Sequence, residues 1–399
     1  MKKLNLFALL LLVAIFITGP SFAQEDDNGY EFTVVNELPA TSVKNQHRSG
    51  TCWSFSAISL LESEMIRMGK EPVDLSEMWI VRHAYSEKAR KYVRFHGHLN
   101  FAGGGAFHDV TNMIKKYGIV PESVYDGLEY GEEKHVHGEF DAVLKGYVDQ
   151  VMKNRNKKLT PVWHDGFDRL LDTYLGENPE EFTYEGEEYT PTTFAFDYTG
   201  IDPDDYIELS SYTHHPFYSE FILEVPDNWA YGEVYNLPVD ELVEVIDHAI
   251  ETGYTVAWAA DVSEKGFSWK NGVAIVPSKD LEEMDGTERS RWEDLSEEEK
   301  EEMMYSFEEP VPEKEITQKM RQKAFDNWQT TDDHGMHITG IAEDQNGTKY
   351  YKVKNSWSDE DHIYDGYLYA SEAFVRYKTM DIMLHKDALP DDIADKLDL

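Results

Sequence analysis

The chain has 399 residues, 41% of them hydrophobic and 13% aromatic, enough to bury a large core and to exclude a disordered chain. Lys and Arg number 37 against 77 Asp and Glu, a formal net charge of −40. A surface of that sign repels phosphate backbones and anionic lipid, so it argues against nucleic acid as a partner; it reads first as a solvated surface and second as an attraction for basic substrates.

The chain opens with Lys2 and Lys3, an apolar run from Leu6 to Ile17, and a small-residue site at Ser21-Phe22-Ala23. That order of charged, apolar and cleavage segments predicts a secretory signal peptide over residues 1–23. As a helix the run rises about 18 Å, short of the roughly 30 Å hydrocarbon core of a bilayer, which favours a cleaved signal over a permanent anchor. The expectation is an exported chain, periplasmic or secreted, starting near Gln24 and free of the membrane once the signal is removed. With one cysteine it cannot form an internal disulfide, and the thiol is left over.

That cysteine stands in QHRSGTCWSF, Gln46 to Phe55. Phe55, Ile58, Leu61 and Met65 follow at helical spacing, and Gly69 is placed to stop the helix. Thr51 is the expected N-cap. It puts Cys52 in the first turn, where exposed N–H groups and the helix dipole favour a thiolate and lower its pKa. Gln46, a little upstream, can aim a carboxamide at the same point as a backbone N–H, which makes an oxyanion hole. A second helix runs from Ala106 to Tyr117 and ends at Gly118. Between about residues 131 and 235, helical patterns give way to loop-rich sequence with Tyr and Pro. Asp240 is expected to cap the helix ELVEVIDHAIET, which Gly253 ends, and TVAWAAD reads as a buried strand. The acidic stretch from Glu288 to Glu315 has Ser296 and Glu299 at capping-box spacing and reads as a solvated surface helix.

Toward the C-terminus, DDHGMHITGIAEDQNGTKYYKVKNSW contains Asn346-Gly347, a strong hairpin signal between two β-rich runs. The outer ends of such a ribbon meet, which brings His334 to Asn355. An asparagine amide there can hold an imidazole in one orientation, with Trp357 shielding the contact from water. A thiolate nucleophile needs such a base and such an orienter. His337, further along the same strand and on the opposite face, is the rival base. On the residues alone both histidines remain candidates.

Other motifs carry less. His96 and His98, His135 and His137, and His214-His215 invite a metal, but no carboxylate or cysteine spacing matches, so no metal is expected. Gly103-Gly104-Gly105 lacks the Lys-Ser/Thr of a phosphate loop and reads as a turn. Asn346-Gly347-Thr348 is a glycosylation sequon for which the turn role suffices.

NQHRSGTCWSF closely resembles the nucleophile segment of papain-like cysteine peptidases, and DHGMHITGI followed by KNSW resembles their histidine and asparagine segments. The resemblance implies an α+β, papain-like two-lobed fold, with a helical lobe facing a β-barrel lobe and the active site at the seam. It implies Cys52 as nucleophile, Gln46 as oxyanion donor, His334 as general base, Asn355 as its orienter and Trp357 in support. Gly104 and Gly105 would lie where the backbone approaches the substrate chain.

The cysteine-to-histidine spacing is far longer than the roughly 130–150 residues of a papain-type peptidase. GGAFHDVTNMIKKYGIVPESVY, LGENPEEFT, DDYIELSSYTHHPF and NSWSDEDHIYDGYL resemble the bleomycin hydrolase and aminopeptidase C branch, which carries a largely helical insertion. The implied layout is a helical catalytic lobe over residues 24–130, an insertion over 131–235, a barrel lobe over 236–385 and a C-terminal tail over 386–399. The implied activity is thiol peptidase action on peptides through an acyl-enzyme, with no cofactor, in a homo-oligomer that is a hexamer in the branch. That branch places a C-terminal arm in the cleft, whose carboxylate receives the substrate amine. Aminopeptidase action is the favoured reading. Endopeptidase action through an open cleft and a non-catalytic peptide-binding scaffold are the alternatives.

Overall fold

The computed structural model describes residues 29–278 and 295–399. The signal expected over residues 1–23 and the start of the acidic stretch lie outside them. Helix α1 (Cys52–Arg67) is buried from Trp53 to Met65, because helices cover one side of it and the sheet covers the other. It begins without a side-chain cap. The Thr51 hydroxyl pairs instead with Ser49 Oγ at 2.5 Å, a local bond that competes with capping, while the Thr51 carbonyl accepts the Ser54 N–H at 2.9 Å. Gly69, at φ +73°, takes the left-handed turn that ends the helix.

Helix α2 (Glu77–Arg94) has a true cap, Ser76, whose hydroxyl accepts the Trp79 N–H at 3.0 Å. Helix α3 (Phe107–Tyr117) ends at Gly118, as its sequence predicts. Helices α4 (Gly138–Met152) and α5 (Val162–Leu175) pack on α2, and Phe140, Leu144, Phe167 and Leu171 join the core that holds Ile58 and Leu61.

The second lobe is an 11-stranded sheet curled around its own core. Its main strands are β1 (Phe32–Glu37), β2 (Tyr206–Ser210), β3 (Val256–Ala260), β4 (His334–Asp344), β5 (Lys349–Lys354), β6 (Tyr367–Ser371) and β7 (Thr379–His385). The order runs β2, β7, β3, β4, β5, β6, with β1 paired to the far half of β4. Asp344 closes the β4–β5 hairpin by accepting the N–H groups of Asn346 and Thr348, each at 2.9 Å. Helix α6 (Val239–Thr252) starts after Pro238, so Asp240 lies in its first turn rather than capping it, and Gly253 terminates it at φ +99°. Helix α7 (Asp391–Leu397) docks beside α6: Leu389, Ile393 and Leu397 enter the barrel core, and Lys396 reaches Glu241 at 3.2 Å. The Ser296–Glu299 capping box is present on the short helix Glu297–Met304.

The lobes meet where α1 lies across β4. A β-carbon on Gly335 would stand 2.7 Å from Ser56 Oγ and 3.3 Å from the Cys52 carbonyl oxygen, so only glycine lets the strand come this close. Below this contact the seam is polar and buried. Ser59 Oγ is 2.9 Å from His337 Nδ1 and accepts from Lys354 Nζ at 2.7 Å. Lys44 reaches Glu62 and Glu77 at 3.0 Å each. Glu62 and Glu77 are buried, and such charges are tolerated only because they are paired.

Candidate active site

Cys52 is the first residue of α1 and His334 the first of β4, so the contact between α1 and β4 puts both on one cleft. His334 Nε2 is 2.7 Å from Asn355 Oδ1, and the Ser356 N–H donates to the same oxygen at 2.8 Å. The second bond orients the amide: Oδ1 must be the acceptor, so His334 Nε2 carries the proton and donates. The lone pair is therefore on Nδ1, the nitrogen able to take a proton from a thiol. Trp357 stacks on the His334 ring with centroids 4.7 Å apart at 26° and is itself walled by Trp269.

Gln46 is held by both lobes. Its N–H donates to the Ser356 carbonyl at 2.8 Å, its Oε1 accepts from Ser356 Oγ at 2.6 Å, and its Nε2 donates to the Ser49 carbonyl at 2.8 Å. One Nε2 hydrogen is left uncommitted. His337 sits in the polar seam beneath the cleft, bonded to Ser59, and burial drives its pKa well below the ordinary value. It does not line the cleft.

The thiol runs against the sequence expectation of a lowered pKa. Burial pushes Cys52 up to about 12, and the charges of Asp332 and Asp227 add to the rise. The N–H groups of Gly335 and Trp53 oppose it without prevailing. Burial also moves His334 down to about 4 despite its bond to Asn355. Each charge alone is disfavoured. A proton passing from sulfur to imidazole creates both charges together, and opposite charges side by side offset part of each other's cost.

Gly104 and Gly105 line the cleft, and the structure supplies a nearer reason for their missing side chains than the approach of a substrate. A β-carbon on Gly104 would overlap the Asp227 carboxylate, and one on Gly105 would stand 2.8 Å from Asp109 Oδ2 and from Trp53. The Lys88 ammonium anchors this loop from α2 through the carbonyls of Ala102 and Gly104.

Sequence reasoning missed the cleft's acidic lining: Glu208, Asp227, Asp332, Asp333 and Asp381. Only Asp332 and Asp333 carried a signal, as the acidic run before His334. Of the histidine pairs, His214 and His215 share Glu224, with ligand atoms of all three within 4.8 Å of one another. His135 and His137 are buried instead, each lowered to about 4 by desolvation, and their segment bridges to Arg48 beside the nucleophile loop.

A helix-borne cysteine facing a strand-borne histidine across two lobes, with an asparagine behind the histidine, defines a papain-like cysteine peptidase. Residues 20–291 and 301–399 match the Peptidase C1-like family model, and the chain belongs to that family. It is 23% identical to aminopeptidase C of Lactobacillus delbrueckii subsp. lactis, over 96% of this chain and 88% of that protein. It is also 23% identical to aminopeptidase G of the same organism, over 89% and 83% respectively. Its fold matches the crystal structure of pepW from Lactobacillus rhamnosis HN001 with a TM-score of 0.67 at 19% identity, covering 92% of this chain and 84% of that one.

The relatives correct one expectation. The matches to aminopeptidase C enzymes stand against the exported, periplasmic or secreted placement drawn from the first 23 residues. That placement rested on the order of charged, apolar and cleavage-site segments in residues 1–23. No described helix is long and apolar enough to cross a membrane.

Proposed function

We propose that the chain is a cysteine aminopeptidase in which Cys52 and His334 act as nucleophile and general base. The observation that carries this reading is the fixed tautomer of His334, whose Nδ1 lone pair is left for the thiol proton. The Cys52 thiol gives its proton to His334 Nδ1 as sulfur bonds to the scissile carbonyl carbon. The oxyanion takes hydrogen bonds from the Cys52 N–H and the uncommitted Gln46 Nε2 hydrogen. When the C–N bond breaks, His334 returns the proton to the leaving amine, and water releases the acyl group from sulfur. Asn355 and Trp357 keep the imidazole in register. The names of the relatives favour removal of N-terminal residues.

One observation favours the endopeptidase alternative. Helix α7 is docked beside α6, and among the described residues none after Asp381 lines the cleft. The test is a peptide with a free amine beside its N-acetylated twin, with mass spectrometry of the quenched protein. Aminopeptidase action requires cleavage of the free-amine peptide alone and an acyl adduct on Cys52. Equal cleavage of both twins overturns it in favour of endopeptidase action.

A further inference from the structure

The cleft beside Cys52 gathers more carboxyl groups than its neighbours neutralise. Five acidic residues line it; the Asp333 carboxylate is taken up by the Ser263 N–H at 3.1 Å and the Thr331 hydroxyl at 2.9 Å, which leaves four carboxyl groups, from β2 (Glu208), the loop before Asn228 (Asp227), the residue before Asp333 (Asp332) and β7 (Asp381). Glu208 and Asp381 are each only 6% exposed. Glu208 Oε2 is 2.9 Å from His108 Nδ1, while its Oε1 is buried without a partner. Asp227 accepts one hydrogen bond, from Asn100 at 2.9 Å. Among the described residues, the carboxylates of Asp332 and Asp381 accept no hydrogen bond and pair with no base.

Nearby bases do not answer this. The Lys88 ammonium is spent on the carbonyls of Ala102 and Gly104. The buried Arg321 guanidinium is spent on the carbonyls of Ser211, at 2.8 Å, and Arg376, at 3.2 Å. Among the described residues, His108 is the one base in ion-pair contact with any of the four. Carboxylates crowded at low dielectric repel one another and hold their protons; accordingly Asp332 is pushed up to about 7 and Asp381 well above its ordinary value. A packed interior does not keep such a group for stability, since replacing it by neutral side chains removes the cost. A cation entering from the cleft would relieve it.

We propose that this acidic wall is a subsite for a cationic nitrogen of the peptide substrate, with Asp332 and Asp381 as its receiving carboxylates. The nitrogen is the N-terminal ammonium of a peptide or the basic group of a lysine or arginine side chain; the chemistry is shared. The inference rests on reading the Cys52 cleft as the substrate cleft. It puts selection for positive charge in internal carboxylates.

The test measures binding to Cys52→Ala protein by calorimetry at low salt, so that turnover plays no part. Leucinamide offers an N-terminal ammonium, N-acetyl-lysinamide a side-chain ammonium, and N-acetyl-leucinamide no charge. At least one charged ligand should bind about tenfold or more tighter than the neutral one. Asp332→Asn and Asp381→Asn, each in that background and checked by thermal melt, should erase most of the difference. Binding by leucinamide alone assigns the N-terminal amine, and binding by N-acetyl-lysinamide alone assigns the side chain. Equal binding of charged and neutral ligands, or none, overturns the proposal, as does unchanged selectivity in both folded variants. Peptide turnover by the wild type alongside that result would leave the peptidase reading intact. Selective binding without any turnover would sink the peptidase reading and spare the subsite.

Discussion

His334 and Asn355 are joined by a 2.7 Å hydrogen bond across the open end of a hairpin, and the Ser356 N–H settles which of their atoms donates. His334→Ala should lower kcat by about a thousandfold or more, because acid and base are lost together, with the melting temperature nearly unchanged. Asn355→Ala should cost about ten- to a hundredfold in kcat by freeing the ring. His337→Ala should instead cost about 1–3 kcal/mol of stability, from the unpaired seam around Ser59 and Lys354, and leave kcat per folded molecule near wild type. Turnover and melts on the three variants check this, and a reversed pattern for the two histidines removes His334 from its role.

Gly335 supports a second prediction. Alanine there must displace Ser56 or the backbone of Cys52. We expect Gly335→Ala to destabilise by about 1–3 kcal/mol and to slow turnover, because the strand carrying His334 is pushed from the helix carrying Cys52. Wild-type stability and activity in this variant would show that the lobes are not in close contact there.

The thiol offers a prediction of sign. Above about pH 7, where it has lost its proton, Asp332 carries a negative charge that raises Cys52, so neutralising it stabilises the thiolate relative to the thiol. The pH profile of Cys52 alkylation by iodoacetamide in Asp332→Asn should therefore move to lower pH, with faster alkylation at about pH 9. A profile that stays in place or moves upward would contradict the charge arrangement of the cleft.

Away from the cleft, Glu313 makes stability depend on pH. Burial raises its carboxyl to about 7 although Ser371 and the Val276 N–H donate to it. The folded state therefore holds a proton that the unfolded state releases near pH 4.5, and this contribution is lost as pH rises from there to about 7. Glu313→Gln should be stabilising by about 1–3 kcal/mol at pH 8 and neutral at pH 4.5. Melts at the two pH values decide it; equal effects at both would show that Glu313 is not the titrating group.

The nucleophile helix and the hairpin were legible because each is specified locally. Periodicity places Cys52 at a helix start, and Asn346-Gly347 sets which hairpin ends meet. Helix α2 went unmarked although Ser76-Glu77 is a cap signal, since its lysines and arginines dilute the apolar pattern. The acidic wall could not be read as a wall, although the Asp332-Asp333 run stands out before His334. Glu208, Asp227, Asp332 and Asp381 come from four distant segments, and only the strand order that lays β2, β7, β3 and β4 side by side gathers them. Gly104 and Gly105 were legible as cleft residues, but the neighbours that forbid a side chain there, Asp227 and Asp109, belong to tertiary structure. The thiol pKa failed for a related reason: helix-start geometry is local, whereas burial and the opposing carboxylates are not.

The polar seam beneath the cleft bears on how the molecule breathes. Opening it would strip Lys354 and His337 of Ser59, leaving buried polar groups half-hydrated at an intermediate width. Partial separation is therefore costlier than either closure or full unfolding, which makes α1 and the first half of β4 one cooperative unit. In native-state hydrogen exchange, the amides of Ser59 to Met65 and those of Met336 to Ile338 should share one opening free energy and one denaturant dependence. A substrate would then meet a slot of fixed width, with any yielding left to the loops at its rim.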